Sequence, residues 1–186
     1  MYYDKKIGQY GIESGPDNIK LLTPEQMIEI TNYCLVGVRE VAFDVESLDE
    51  WGTEYERWIP GLMGLYCNGE MITDFLYSSI RVPSYSTDLI YAWRDYSMGF
   101  LNENGEEISP FVFENGDSIY KGAIAVMKDG KWGFVDRKGE VLIPFLFESA
   151  LTIDEDSAFV KYEGKYGILN KKAAIEYFKD NTEMPK

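Results

Sequence analysis

Histidine is absent from this 186-residue chain, and cysteine occurs only twice, at Cys34 and Cys67. Without histidine there is no His-based triad, no His-ligated metal and no imidazole general base. Two cysteines without CxxC spacing make neither a zinc site nor a disulfide framework, and they read as buried free thiols. Basic residues are scarce too: 18 Lys and Arg against 32 Asp and Glu leave a formal charge of −14 at pH 7. This excludes the basic footprint of a nucleic-acid binder, and an anionic membrane would repel such a surface. There is no apolar run of membrane-spanning length, and the opening MYYDKKIGQYG has no apolar h-region, so the expected location is the cytoplasm. Phosphate-cradling GxxxxGK[ST] and GxGxxG loops and the GxSxG elbow are also missing. Paired carboxylates of the glycosidase kind stay open, but with 32 acids some pair falls close by chance. The expectation is a protein that is not an enzyme and that needs no cofactor or metal. The acids of TIDEDS (152–157) lack calcium-loop spacing and read as a solvated connection between strands.

What is abundant is aromatic: 15% of the chain, mostly 14 Tyr and 10 Phe, enough for a well-packed core. The aromatic residues also mark a repeat. Residues 98–131 lie on residues 132–165 without a gap, and twelve of 34 positions are identical. Among these are Gly99/Gly133, Phe100/Phe134, Gly105/Gly139, Pro110/Pro144, Phe111/Phe145, Phe113/Phe147 and Glu114/Glu148. A third copy begins at Tyr166-Gly167 and breaks off, and a weaker one with a turn one residue shorter begins at Met63-Gly64.

Each unit reads as an antiparallel β-meander. GAIAVM, KWGFVD and EVLIPFLFE are strand-like, while Asp129-Gly130 and the RKG segment supply the positive φ of tight turns. Pro110 and Pro144 mark a bulge, edge or strand end. The glycine after each repeat's leading aromatic or Met lies inside a strand, which points to close approach of a ring or neighbouring chain.

The first third differs. Thr23-Pro24-Glu25-Gln26 is a capping box, followed by apolar residues at 27, 30, 34, 38, 41 and 45, steps that fit one helical face. Gly37 interrupts this run, and LVGV (35–38) is equally suited to begin a strand. A second capping box, Ser47-Leu48-Asp49-Glu50, predicts a short helix ending before Pro60. The expected fold class is therefore mainly β, α+β overall. A partly helical cap at 1–60 precedes a repeat array at 61–180 with units of about 34 residues, and a tail follows at 181–186.

KWGFVDRKGEVLIPFLFE (131–148) resembles the WG, or KWG, repeat. Trp132, Gly133, Phe134, Asp136, Gly139, Ile143, Pro144, Phe145 and Phe147 carry the pattern, as do Gly99, Phe100, Asn102, Gly105, Ile108, Pro110, Phe111 and Phe113. The resemblance spans about 63–180. The first copy has Asp74 in place of the proline, and the last has Ala173 for the turn glycine and Phe178 for the proline. That loss suits a terminal repeat. The resemblance implies a β-rich scaffold or interaction module with no catalytic motif to transfer.

The recurrent aromatics are explained by packing between units, so partner contacts are sought where the repeat breaks. From Phe43 to Arg57 the carboxylates Asp44, Glu46, Asp49, Glu50, Glu54 and Glu56 interleave with Trp51 and Tyr55. With Trp58, Tyr91 and Trp93 they form the candidate partner-binding set: aromatic anchors among charges that attract a basic protein. An ordinary amphipathic helix with a solvated acidic face explains the same stretch without a partner. The expected function is protein binding, in its sharpest form as an acidic immunity (antitoxin-like) protein that neutralises a basic toxin such as a nuclease. A module for glycans or cell-wall fragments is the alternative. Oligomeric state is not legible.

Overall fold

A computed structural model describes residues 2–4, 9–15, 18–23, 36–48, 54–67, 70–83, 89–117 and 122–182, with backbone alone for the strands before Gly61. The chain divides into two compact units, Met1–Val82 and Pro83–Lys186. The sequence had suggested a division near residue 60.

The first unit holds strands β1 (Tyr2–Asp4), β2 (Gln9–Gly15), β3 (Asn18–Leu22), β4 (Val36–Leu48), β5 (Glu54–Cys67), β6 (Glu70–Met71) and β7 (Ser79–Arg81). Six of them form one sheet in the order β3-β2-β1-β4-β5-β6. Its pairings are antiparallel except β1 with β4, which run parallel with Tyr2 opposite Arg39. The helical cap expected at 1–60 is not what these residues form: where their structure is described, they are strands. Residues 24–35, which hold the first capping box and helix start, lie outside the described residues, as do 49–53. The helical spacing from 41 to 45 has a β explanation. The β4–β5 register shifts between Arg39 and Val41 and again between Asp44 and Ser47. The first shift sets three steps of β5 against two of β4, and the second sets three steps of β4 against two of β5. The step from Val41 to Val45 is two full periods of an alternating strand as well as one helical turn. The LVGV alternative holds, with β4 beginning at Val36. Pro60, expected to follow a helix, lies inside β5 beside the first of these shifts, where a residue without an N–H is tolerated.

The second unit is built of β8 (Ile90–Arg94), β9 (Ser97–Leu101), β10 (Asn115–Gly116), β11 (Ile124–Lys128), β12 (Lys131–Val135), β13 (Val141–Phe147), β14 (Ser149–Thr152), β15 (Ser157–Tyr162), β16 (Lys165–Asn170) and one helix, α1 (Lys171–Phe178). Sheets β10-β11-β12-β13 and β14-β15-β16 are wholly antiparallel meanders. Three hairpins are closed by two-residue turns with both central residues at positive φ: Asp95-Tyr96, Asp129-Gly130 and Glu163-Gly164. This twist matches that of the flanking strands.

Successive meanders bury their apolar faces against each other. Tyr91 and Phe100 from β8 and β9 pack with Ile124, Val126 and Val135 from β11 and β12. One repeat later, Ala125 and Phe134 pack with Ala150, Ala158 and Val160. Each sheet thus has a rear face toward the preceding repeat and a forward face toward the next. Full burial of one such side chain contributes about 1.5–3 kcal/mol, so these layers are where the array gains its stability. Among the described residues no helix is long and apolar enough to cross a membrane.

Candidate interaction surface

The repeat's invariant residues each answer a backbone requirement. Asn102 and Asp136 close the turn after the aromatic-glycine strand. The carboxylate Oδ1 of Asp136 accepts from the N–H groups of Lys138 (2.8 Å) and Glu140 (2.9 Å), and Gly139 N–H donates to the Asp136 carbonyl at 3.0 Å. Asn102 repeats this with Asn104, Glu106 and Gly105. Gly105 and Gly139 sit at φ 77° and 80°, which an L side chain resists. The next strand then pairs back: Phe134 lies opposite Ile143 and Trp132 opposite Phe147. Three residues, Pro144 to Leu146, are spanned against the single Gly133, so the strand bulges and the Phe145 ring comes over that glycine. A methyl group on Gly133 would lie 2.8 Å from the Ile143 carbonyl oxygen and 2.9 Å from the Phe145 ring; on Gly99 it would lie 2.7 Å from Phe111. Ring over glycine is the close approach that the in-strand glycine anticipated.

The flanking copies show the same device in part. Around Gly64, Met63 bridges Tyr77 as Met98 bridges Phe113. Leu65 N–H donates to Thr73 Oγ1 at 2.9 Å, as Phe100 N–H does to Ser109 Oγ at 2.8 Å. In the last copy Asn170 holds the position of Asp136, but Ala173 replaces Gly139 and cannot readily take the positive φ. The Asn170 side chain accepts from Ala173 N–H at 2.9 Å and becomes the N-cap of α1. The chain enters a helix in place of the third strand.

That substitution leaves the last forward face uncovered. Leu151, Phe159 and Ile168 stand opposite one another across β14, β15 and β16. They are 57%, 41% and 73% exposed, and Tyr166 is 66% exposed. At the positions equivalent to Phe159 and Ile168 the earlier repeats have Tyr91 and Phe100, then Ala125 and Phe134, all buried. Phe159 and Tyr166 stack at 5.6 Å, with the Lys161 ammonium 5.6 Å over the Tyr166 ring. Gly167, alone of the aromatic-glycine positions, has nothing within 4 Å of an added methyl. Together these side chains form a contiguous exposed apolar patch.

The residues singled out from the sequence fall in different places. Asp44 and Glu46 lie on β4, and Glu54, Tyr55, Glu56 and Trp58 on β5, so one hairpin collects six of them, with Asp44 opposite Arg57 and Phe43 opposite Trp58. Asp49, Glu50 and Trp51 lie outside the described residues. Tyr91 is buried, with its hydroxyl donated to the Asp117 carbonyl at 2.5 Å, so its ring belongs to the core and is not offered at the surface. Trp93 is half-buried and packs beside Tyr91, with ring centroids 6.3 Å apart. Sequence reasoning passed over Leu151, Phe159 and Ile168 because an alternating strand gives no sign of which face lacks a neighbour. Tyr96 is the other missed residue of note. It is 98% exposed at φ 66°, where the two later turns place glycine.

The TIDEDS acids serve the end of the array. Asp154 Oδ1 accepts from Asp156 N–H (2.9 Å) and Ser157 N–H (2.7 Å), which holds its carboxyl below the usual range. Lys171, 1% exposed, donates from Nζ to the Asp154 carbonyl at 2.9 Å, and Lys172 pairs with Asp156 at 2.9 Å. Burial pushes the Lys171 ammonium down, against the opposing pull of Asp154, Asp156, Asp117 and Glu155. The acid loop is thus clamped to α1 by lysines. Among the described residues no group of three or more acidic or cysteine side chains is placed to hold a metal ion. Cys67 is half-buried, less enclosed than expected; Cys34 lies outside the described residues.

These features define a class: β-meander units stacked in sequence, each covering the face of the one before. The family model described as WG containing repeat matches residues 98–132 and 132–166, and these two segments are WG repeats. The match covers residues 98–166, and the partial copies on either side lie beyond it. Comparison with curated proteins gives no match.

Proposed function

We propose that this protein is a non-enzymatic interaction module that binds a protein partner through its repeat array. The observation that carries this reading is the uncovered forward face of the last repeat: its Phe159 and Ile168 occupy positions that are core in every earlier unit of the second half. A second feature fits a basic partner. The chain carries −14, yet residues 149–182 contain five Lys against six acids, so nearly all the excess negative charge lies elsewhere. The β4–β5 hairpin gathers Asp44, Glu46, Glu54 and Glu56 with Tyr55 and Trp58 along two paired strands. An acidic immunity protein that occludes a basic toxin, a nuclease for example, has this division of labour: charge speeds encounter while apolar residues hold the complex.

Co-expression with the product of the neighbouring reading frame tests it. A stable complex and protection of the host from that product are expected; neither complex nor protection would sink the immunity reading. Binding of glycans or cell-wall fragments is the competing reading, favoured by the stacked, exposed Phe159–Tyr166 pair. A glycan array separates the two.

A further inference from the structure

The uncovered face comes with an uncovered edge. Among the described residues β16 has one neighbour, β15. In the preceding units the hydrophobic-proline-aromatic segment after the turn meets the equivalent strand on its other side, as strand β13 on β12 and through isolated bridges on β9. The bonds it makes are known from the first regular repeat: Met98 N–H to the Phe113 carbonyl (2.6 Å), Phe113 N–H to the Met98 carbonyl (3.2 Å), and Ile108 N–H to the Phe100 carbonyl (2.9 Å). Counted on by two repeats, the groups left for such bonds are the N–H and C=O of Tyr166 and the C=O of Ile168. The berth for the ring also remains, since the space over Gly167 is open where Phe111 and Phe145 cover Gly99 and Gly133. The second aromatic has its place as well. Phe113 stacks on Phe100 at 5.8 Å and Phe147 meets Phe134 edge-on at 6.2 Å, and Ile168 is their counterpart.

We propose that β16 accepts an extended segment of a partner protein, added antiparallel as a fourth strand. The segment carries the hydrophobic-proline-aromatic-x-aromatic pattern that fills this position in the earlier repeats. The proposal rests on the reading of the chain as a protein-binding module and names its mode, strand addition at a sheet edge. Main-chain bonds supply affinity, the ring over Gly167 supplies selectivity, and the second aromatic buries Phe159 and Ile168. The occupant is not a second copy of this chain, because the chain's own two segments of this pattern, ISPFVF (108–113) and LIPFLF (142–147), are already engaged with β9 and β12. An apolar strand edge left bare is also an aggregation liability, which a partner strand removes.

The test is a fluorescent peptide copied from residues 139–150 (GEVLIPFLFESA), made soluble with two added lysines and titrated into the full chain by anisotropy. Saturable binding is expected, together with loss of binding when the proline and first phenylalanine of the peptide are replaced by serine. Gly167→Val puts a branched side chain where the ring would lie and should weaken binding by roughly tenfold or more, the scale of an overpacked contact. Its melting temperature should fall little, because an added Cβ at this position meets nothing within 4 Å. Ile168→Asp, on the other side of the same strand, should weaken binding likewise. Equal binding by wild type and Gly167→Val, or no binding by wild type, overturns the proposal. A concentration-dependent dimer in ultracentrifugation that Ile168→Asp abolishes overturns it in favour of a second copy. If the partner from co-expression is still captured by Gly167→Val, strand addition fails while the binding-module reading stands. If no partner is captured at all, that reading fails on its own account.

Discussion

A methyl group placed on Gly133 runs into the Ile143 carbonyl and the Phe145 ring, while on Gly167 it meets open space. The same substitution at equivalent positions should therefore have different effects. Gly133→Ala is expected to lose about 1–3 kcal/mol to overpacking, and Gly167→Ala should stay within about 0.5 kcal/mol of wild type. Urea denaturation of the two variants side by side checks this. Tyr96 offers the reverse case: at φ 66° it holds a left-handed conformation in a turn whose later copies use Gly130 and Gly164. Tyr96→Gly should raise stability by about 1 kcal/mol, the cost of a side chain in that region. If Tyr96 is kept for contact, the same variant will capture less partner. Glu148 shows the repeat's electrostatics. Its carboxylate accepts from Lys161 Nζ at 2.8 Å and from Gly164 N–H at 2.7 Å, and the lysine first, then the amide, hold it below the ordinary glutamate range. A carboxyl depressed in the folded state contributes stability above its unfolded value of about 4.3, and that contribution fades as pH falls through the lower folded value. Glu148→Gln should therefore be less stable than wild type at neutral pH. The gap should close as the solution is taken below about pH 4, as chemical denaturation at the two pH values will show.

Between residues and the whole lies the question of why one turn sequence leads twice into an extended segment that pairs back and the third time into a helix. Asn102, Asp136 and Asn170 all turn a side-chain oxygen onto backbone N–H groups ahead of them. Glycine three residues on lets the chain reverse; alanine there lets it continue as helix with the same oxygen as cap. Asn170→Ala should thus lose about 0.5–2 kcal/mol, the usual range for a lost N-cap, measurable by urea titration. The helix also holds Lys171 against the 154–156 loop, so the loss should be accompanied by faster hydrogen exchange in both. This level is where the sequence was most and least legible. The regular copies could be read because Asx turn, positive-φ glycine, bulge proline and paired phenylalanines are local demands, each met by a residue type that serves little else. The first sixty residues misled because a step of four, as from Val41 to Val45 on β4, is one helical turn and also two strand periods, and spacing alone cannot separate them. Val36, Val38, Val41 and Val45 in one stretch were the better guide, since β-branched residues favour a pleated surface. The helix that was real, α1, lay hidden in a decaying repeat. Its signal was the replacement of Gly139 by Ala173.

Along the chain, charge and apolar surface are set apart. The last repeat is nearly neutral, with three of its five lysines paired to Glu148, Asp156 and Glu176, and it presents the bare apolar face. The remaining residues carry almost all of the −14. Whether a surface is left uncovered depends on which unit comes last in space, which is why the open face could not be seen in the sequence although the acidic excess could. The two properties should separate in kinetics. Exposed charges are screened over about 8 Å at physiological salt and about 3 Å at 1 M. Attraction of a basic partner to the acidic part of the chain should therefore weaken as salt is raised, and the association rate should fall roughly tenfold or more between low salt and 0.5 M. Dissociation governed by burial of Phe159, Ile168 and Tyr166 should change little, because hydrophobic contact is not screened. Surface plasmon resonance with the co-expressed partner, run over that salt range, reads both rates. A falling on-rate with a steady off-rate supports the division. An off-rate that rises in step with salt would mean that charge, and not the open face, holds the complex.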